Sequence, residues 1–394
     1  MQAYRVGGSV RDELLGLPVA DRDWVVVDST PQEMTALGFK PVGRDFPVFL
    51  HPHTREEYAL ARTERKTGPG YRGFAVHFAP GVTLEEDLAR RDLTINAIAR
   101  AEDGSITDPF GGRRDLRDRV LRHVSNSFVE DPVRILRVAR FAARFEDFVV
   151  APQTMTLMQR MTVDGEVDAL VAERVWQELS RGLREVRPSR MIAVLQETGA
   201  LSVLLPELAA PQDNAGSSGW SAWLAALDRA AAAHEPLPVC YAVFTSRAHA
   251  EAAVLQVSQR LRAPAECREL AVLLSRETVA IARTMPAAGF LQAFANFDPP
   301  ALLEILERSD AWRRPERLDA LLHAAAALDG VDALAHPGAA RLRTALHAAN
   351  ALDQASIANG LRDKPAGIRD AIGLERLRMI ADAVGRDRAG REAG

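Results

Sequence analysis

Val6-Gly7-Gly8-Ser9-Val10-Arg11-Asp12 and, ten residues past Arg11, Asp21-Arg22-Asp23-Trp24-Val25-Val26-Val27 are the stretches on which the fold turns. The first sets two glycines between an apolar strand, Ala3-Tyr4-Arg5-Val6, and a helix, so that backbone amides can approach a phosphate at the helix N-terminus. Arg11 adds a charged fork. A Gly-Gly pair in that position is also compatible with a plain tight turn. In the second stretch the carboxylates of Asp21 and Asp23 alternate with Arg22 on an extended segment, so they project from one face and can share divalent cations. Two Mg²⁺ ions held there would lower the pKa of an attacking hydroxyl and neutralise charge on a leaving pyrophosphate. A solvated charged turn ahead of a strand is the plainer alternative, and the short distance to the Gly-Gly element weighs against it.

Working outward, 394 residues exceed what one hydrophobic core usually serves, which predicts two or three domains. A hydrophobic share of 47% with 26% charged residues is the balance of a soluble globular protein. No apolar run approaches the roughly 20 residues of a membrane span, and the chain opens as a strand rather than a secretory signal, so a cytoplasmic location is expected. Cys240 and Cys267 are too few for a disulfide framework or a cysteine zinc site. A net charge of −4 and a pI near 6.2 exclude a grip on nucleic acid through bulk positive charge, so any RNA contact must be local. Of the 49 basic residues all but Lys40, Lys66 and Lys364 are arginine, the side chain suited to bidentate phosphate and base contacts.

The N-terminal third mixes short β-rich runs with glycine turns, and the remainder is helical, with three regions expected at 1–125, 126–210 and 211–394. Val25-Val26-Val27 reads as a buried strand and Glu102-Asp103-Gly104-Ser105 as a hairpin turn. Thr83-Leu84-Glu85-Glu86 has the form of a capping box and predicts a helix running toward Ala99. A second helix is expected from Pro132 to about Phe145, with proline in its first turn, and a third from Ala172 to Arg184. The stretch 210–219 is the clearest linker, and Ala-rich helices follow it.

Three further stretches carry candidate chemistry. Arg90-Arg91-Asp92-Leu93-Thr94-Ile95-Asn96-Ala97-Ile98 offers arginines and polar groups enough for a triphosphate and a ribose, or else an exposed helix face with a local Arg-Asp pair. In Glu130-Asp131-Pro132-Val133-Arg134-Ile135-Leu136-Arg137-Val138-Ala139-Arg140-Phe141 the residues Arg134, Arg137, Arg140 and then Arg144 recur at helical spacing, giving one cationic face. Asp131 stands a turn before Arg134, so an acceptor and a donor can lie side by side. Cytosine and adenine each present an amino donor beside a ring-nitrogen acceptor and match such a pair. Uracil and guanine present the reverse and do not. A purely structural Asp-Arg pair remains the alternative.

Together with Asp108-Pro109-Phe110-Gly111-Gly112 these segments resemble, in order and spacing, the bacterial class II CCA-adding enzymes of the DNA polymerase β-like nucleotidyltransferase superfamily, from residue 1 to about 208. The resemblance implies an α+β polymerase β-like head with a small β-sheet, followed by an all-helical neck, body and tail. It further implies addition of CCA to the 3′ end of tRNA from CTP and ATP with Mg²⁺, and no obligate protein partner is visible. Carried over, Gly8, Arg11, Arg91, Arg137 and Arg140 contact the nucleotide, Asp21 and Asp23 bind Mg²⁺ and are catalytic, and Asp131 with Arg134 forms the protein template. Tyr58 to Lys66 with the glycine-rich segment after it resembles the family's flexible loop for switching from CTP to ATP, and Glu173 to Glu178 a supporting helix behind the nucleotide. Longer members append a metal-dependent HD phosphohydrolase. Leu237 to Ala250 resembles a degenerate counterpart with Ser246-Arg247 where the His-Asp pair would stand, and the sequence contains no His-Asp dipeptide, so that activity is expected to be absent. Two neighbours stay open: a bacterial poly(A) polymerase, against which the acidic balance speaks, and a non-catalytic RNA-binding relative, against which the intact Asp21 and Asp23 speak.

Overall fold

The computed structural model describes residues 1–392 apart from 20, 43–47, 67–73, 210–217, 286–287 and 363–364. It divides into two compact units, Met1–Ala209 and Ala210–Gly394. Within the first unit, ion pairs join Arg137 to Asp92 and Arg144 to Asp12.

In the first unit a seven-stranded sheet is built from β1 (Gln2–Val6), β2 (Asp23–Val27), β3 (Lys40–Val42), β4 (Val48–Leu50), β5 (Glu57–Leu60), β8 (Ala99–Arg100) and β9 (Ile106–Thr107), in the order β3-β4-β5-β2-β1-β8-β9. β6 (Arg62–Lys66) and β7 (Phe74–Phe78) form a separate antiparallel hairpin. The expected flexible loop is thus strand up to Lys66, and the glycine-rich segment 67–73 lies outside the described residues. β1 and β2 pair antiparallel with Val6 opposite Asp23, which brings the Gly-Gly turn and the carboxylates to the same end of the sheet. Val25 and Val27 face one core layer with Val6 and Leu88, whereas Val26 faces the other with Met34, Phe49 and Tyr58, the period-two alternation of a strand covered on both sides.

Helices α1 (Gly8–Leu14) and α2 (Pro31–Ala36) follow β1 and β2. α3 (Leu84–Ala89) starts at the expected capping box, with Glu86 N donating to Thr83 Oγ1 at 3.2 Å and Thr83 N to Glu86 Oε2 at 2.8 Å. It does not reach Ala99. The chain breaks at Arg90, makes a 3₁₀ turn at Thr94–Asn96 and enters β8, because the Asp92 carboxylate accepts from the Leu93 amide and Leu93 bridges to His123. α4 (Gly112–Asp118) packs so closely on this turn that a Cβ at Gly112 would stand 2.2 Å from the Thr94 carbonyl oxygen. The short strands β10 (Val120–Leu121) and β11 (Val149–Val150) flank α5 (Val133–Arg144), which begins after Pro132 as its sequence predicts. α6 (Pro152–Val163), α7 (Ala172–Gly182), α8 (Pro188–Glu197) and α9 (Ala200–Leu204) complete the unit, with α5 packed against α7 and α8.

The second unit is helical throughout its described residues, from α10 (Ser218–Ala232) and α11 (Leu237–Thr245) onward, and the linker stretch 210–217 lies outside them. Its core includes Trp223, Tyr241 and Phe244. Where the degenerate His-Asp position was expected, Arg247 stacks over Trp220 and Trp223, with its guanidinium carbon 4.8 and 5.6 Å from the ring centroids. Among the described residues no helix is long and apolar enough to cross a membrane.

Candidate active site

The site is assembled at the N-terminus of α1. Gly7 precedes the helix at φ +70°, a left-handed value a side chain would resist, and a Cβ there would also stand 3.0 Å from Arg91 Nη1. Gly8 opens the first turn, and Arg11 lies one turn on. Contrary to an exposed phosphate fork, the Arg11 guanidinium is only 3% exposed: Nε donates to Asp12 Oδ1 at 2.8 Å, Nη1 donates to Asn96 Oδ1 at 2.5 Å, and Phe141 and Phe145 stack on it. Its burial pulls its pKa down, opposed by the Asp12 carboxylate.

Asp23 begins β2 and Asp21 precedes it, both solvent-facing, and neither makes a hydrogen bond or ion pair with a described residue. Partial desolvation pushes the Asp23 carboxyl above its usual range, Arg91 draws it back, and Asp21 adds to the rise. Two adjacent carboxylates with no ion pair among the described residues are hard oxygen donors of the kind Mg²⁺ takes, with its remaining positions open to water or phosphate oxygens. The donor set fits the ion. Arg91 faces this pair while anchored behind: Nη2 donates to the buried Asp87 Oδ2 at 3.1 Å, and its buried Nε has no acceptor among the described residues.

The four arginines of α5 do not form an open cationic face. Arg137 Nε donates to Asp92 Oδ2 at 2.8 Å, and Arg144 Nη2 to Asp12 Oδ2 at 2.9 Å. Arg140, 7% exposed, donates from Nε to Glu178 Oε2 at 2.6 Å and lies 3.5 Å from Glu185. Arg134, also 7% exposed, donates from Nη1 to the Ser127 carbonyl at 2.8 Å and from Nη2 to the Arg90 carbonyl at 2.5 Å. Asp131 and Arg134, expected as a side-by-side acceptor and donor, each have other partners. Asp131 receives both guanidinium arms of Arg174 instead, Nη1 to Oδ1 at 2.8 Å and Nη2 to Oδ2 at 2.7 Å, because α7 lies against α5 and its Arg174 reaches across. Arg174 was passed over in the sequence, where it stood in a stretch read as support. Glu178, in that same stretch, does support: it holds Arg140 directly and lies 3.7 Å from Arg137.

Residues 3–122 match the model of the poly A polymerase head domain, and residues 147–211 that of a probable RNA- and SrmB-binding site of polymerase A. The multifunctional CCA protein of Burkholderia pseudomallei strain 668 is 50% identical, over 98% of this chain and 99% of that protein. The namesake from Aromatoleum aromaticum is 52% identical over 92% of this chain and 94% of its own. The chain belongs to the multifunctional CCA protein family. Its fold matches the Bacillus stearothermophilus CCA-adding enzyme solved in complex with CTP, at a TM-score of 0.68 and 23% identity, covering 100% of this chain and 95% of that one.

Arg140 joins two acidic side chains inside the unit, so its removal takes the ion-pair partner from Glu185 and leaves Glu178 with Arg137 alone at 3.7 Å, both in a poorly solvated place. Arg140→Met is expected to destabilise the first unit by about 3 kcal/mol, read as a lowered thermal unfolding midpoint. An unchanged midpoint with a raised KM for nucleotide would instead make Arg140 a surface contact.

Proposed function

We propose that the chain adds CCA to the 3′ end of tRNA, taking CTP and ATP in turn and releasing pyrophosphate, as a cytoplasmic Mg²⁺-dependent enzyme. The observation that carries this reading is the convergence, at one end of the sheet, of the Gly7-Gly8 turn, Arg91 with its acceptorless buried Nε, and the unpaired carboxylates of Asp21 and Asp23. Family membership at about half identity across nearly the whole chain supports it.

In this reading Gly8 and the first turn of α1 receive triphosphate oxygens on backbone amides. Arg91 and Arg137 bring cationic donors to the nucleotide, with Arg140 behind Arg137. Arg11 acts through Asn96 and Asp12 to fix that turn. Asp21 and Asp23 are the carboxylates that hold Mg²⁺, which when bound neutralises charge on the triphosphate and favours the ionised hydroxyl. The tRNA 3′-oxygen attacks the α-phosphorus in line, the new ester bond forms as the bond to pyrophosphate breaks, and the hydroxyl proton passes to solvent or a carboxylate. Asp131 reads the exocyclic amine of C or A, with Arg134 as the neighbouring donor. The second unit serves shape and tRNA contact, with Arg247 stacked over two tryptophans where a hydrolytic centre would need ligands.

Four outcomes test this. With CTP alone, tRNA lacking its CCA end should gain two cytidines, whereas a poly(A) polymerase would add none. Asp21→Asn and Asp23→Asn should each cut incorporation about a thousandfold with the fold retained, a loss of several kcal/mol in transition-state stabilisation; near-wild-type rates in saturating Mg²⁺ would sink the metal assignment. Asp131→Ala and Arg134→Ala should narrow the preference for C and A over U and G by about tenfold or more, and unchanged single-nucleotide ratios would remove the base-reading role. The pure protein should also show no Ni²⁺- or Mg²⁺-stimulated hydrolysis of a 2′,3′-cyclic nucleotide; such activity would reveal a second metal site.

A further inference from the structure

A cavity of about 1380 Å³ opens in the first unit between the end of α1, α4 and the turn after α5. Its lining includes apolar side chains, Leu14, Leu17, Phe145 and Phe148, and arginines from α4. Every acidic residue that lines it is already engaged. Asp108 accepts from Gly112 N at 2.7 Å and Arg113 N at 2.9 Å, Glu146 lies 3.4 Å from Arg187, Asp147 pairs with Arg119, and Glu185 lies 3.5 Å from Arg140. By contrast the side chains of Arg113, Arg114 and Arg117, all exposed, have no hydrogen-bond or ion-pair partner among the described residues. Positions i, i+1 and i+4 place them on one side of α4. The cavity therefore carries uncompensated positive charge in a chain whose net charge is −4.

This place is separate from the nucleotide site. Asp12 forms the partition, receiving Arg11 on one oxygen and the cavity-lining Arg144 on the other. We propose that the cavity is a subsite for the sugar-phosphate backbone of the tRNA substrate, with Arg113, Arg114 and Arg117 on phosphodiester oxygens and the apolar lining against ribose or base faces. The inference rests on the reading of the chain as a tRNA nucleotidyltransferase. Three features favour a polymeric anion over a single small one. The volume exceeds the roughly 300–1,000 Å³ of small-ligand pockets. The three arginines stand at positions i, i+1 and i+4 over a full turn of α4, so more than one phosphate can be met. An acidic protein that binds tRNA must gather its cations locally, and phosphate contacts supply most of such affinity.

The test is equilibrium binding of tRNA lacking its CCA end, without CTP or ATP, across a salt series, for the wild type, the triple variant Arg113→Gln/Arg114→Gln/Arg117→Gln, and Arg160→Gln as a charge control elsewhere on the unit. The triple variant should bind about tenfold or more weakly at 0.15 M salt, with the slope of log K against log salt reduced by about two. Its KM for CTP should stay within twofold of wild type, and Arg160→Gln should bind as wild type does. If the triple variant binds tRNA with unchanged affinity and slope while the wild type binds well, the subsite is overturned and the enzymatic reading stands. A raised KM for CTP with unchanged tRNA affinity would assign the arginines to a small anion instead. A wild type that does not bind tRNA at all would overturn both readings.

Discussion

The buried carboxylate of Asp92 is the constraint on which the first unit depends. It accepts from Leu93 N at 2.8 Å, Asn96 Nδ2 at 2.9 Å and Arg137 Nε at 2.8 Å. Burial alone would drive it to the neutral acid, yet Arg137 and these donors outweigh that cost and hold its pKa well below the usual carboxylate range. The same pairing raises the pKa of Arg137. Asn96 then passes the order on, donating from its amide nitrogen to Asp92 and accepting from Arg11 on its amide oxygen. From the Gly-Gly helix through the 3₁₀ turn to α5 and Glu178 of α7, one connected polar chain fixes four elements, most of them far apart in sequence.

A site meant to hold a triphosphate gains from such a frame. Charges that move when ligand arrives spend part of the interaction on reorganisation, whereas donors already locked by other groups act at once. Arg91 shows the arrangement: one arm is tied to Asp87, the glycine at position 7 leaves room beside it, and Nε remains without an acceptor. Buried ion pairs of this kind add little net stability compared with an apolar core, but losing one partner leaves a stranded charge. Their value here is geometric.

What the sequence made legible follows from what is local in it. The strand Val25-Val26-Val27, the capping box at Thr83 and Glu86 and the start of α5 after Pro132 each rest on neighbours within a few positions, and the structure has all three. The end of α3 was misjudged because a capping box marks where a helix begins and says nothing of where it stops. The cationic face of α5 was correct as a pattern and misleading as a surface, since Asp92, Glu178 and Asp12 neutralise it from 45, 38 and 132 positions away. Arg174 gave no signal of its own; only the packing of α7 on α5 brings it to Asp131. The residues at the Gly-Gly turn and the two carboxylates came from motif and resemblance, and no reading of composition would have found them.

The hold of Arg174 on Asp131 bears on how a protein could read a base at all. A carboxylate offers about four lone-pair directions. On Asp131, Oδ1 accepts from Arg174 Nη1 at 2.8 Å and from Val133 N at 3.2 Å, whereas Oδ2 accepts from Arg174 Nη2 at 2.7 Å. Oδ2 therefore keeps a direction in which an exocyclic amine can donate without displacing the arginine. A free carboxylate would rotate to meet a donor or turn away from an acceptor, and discrimination would fall. Clamped by a bidentate guanidinium and a backbone amide, it presents one acceptor in one orientation, so an incoming carbonyl oxygen meets an acceptor that cannot swing aside. In the proposed template such rigidity would turn a preference for C and A into a penalty against U and G.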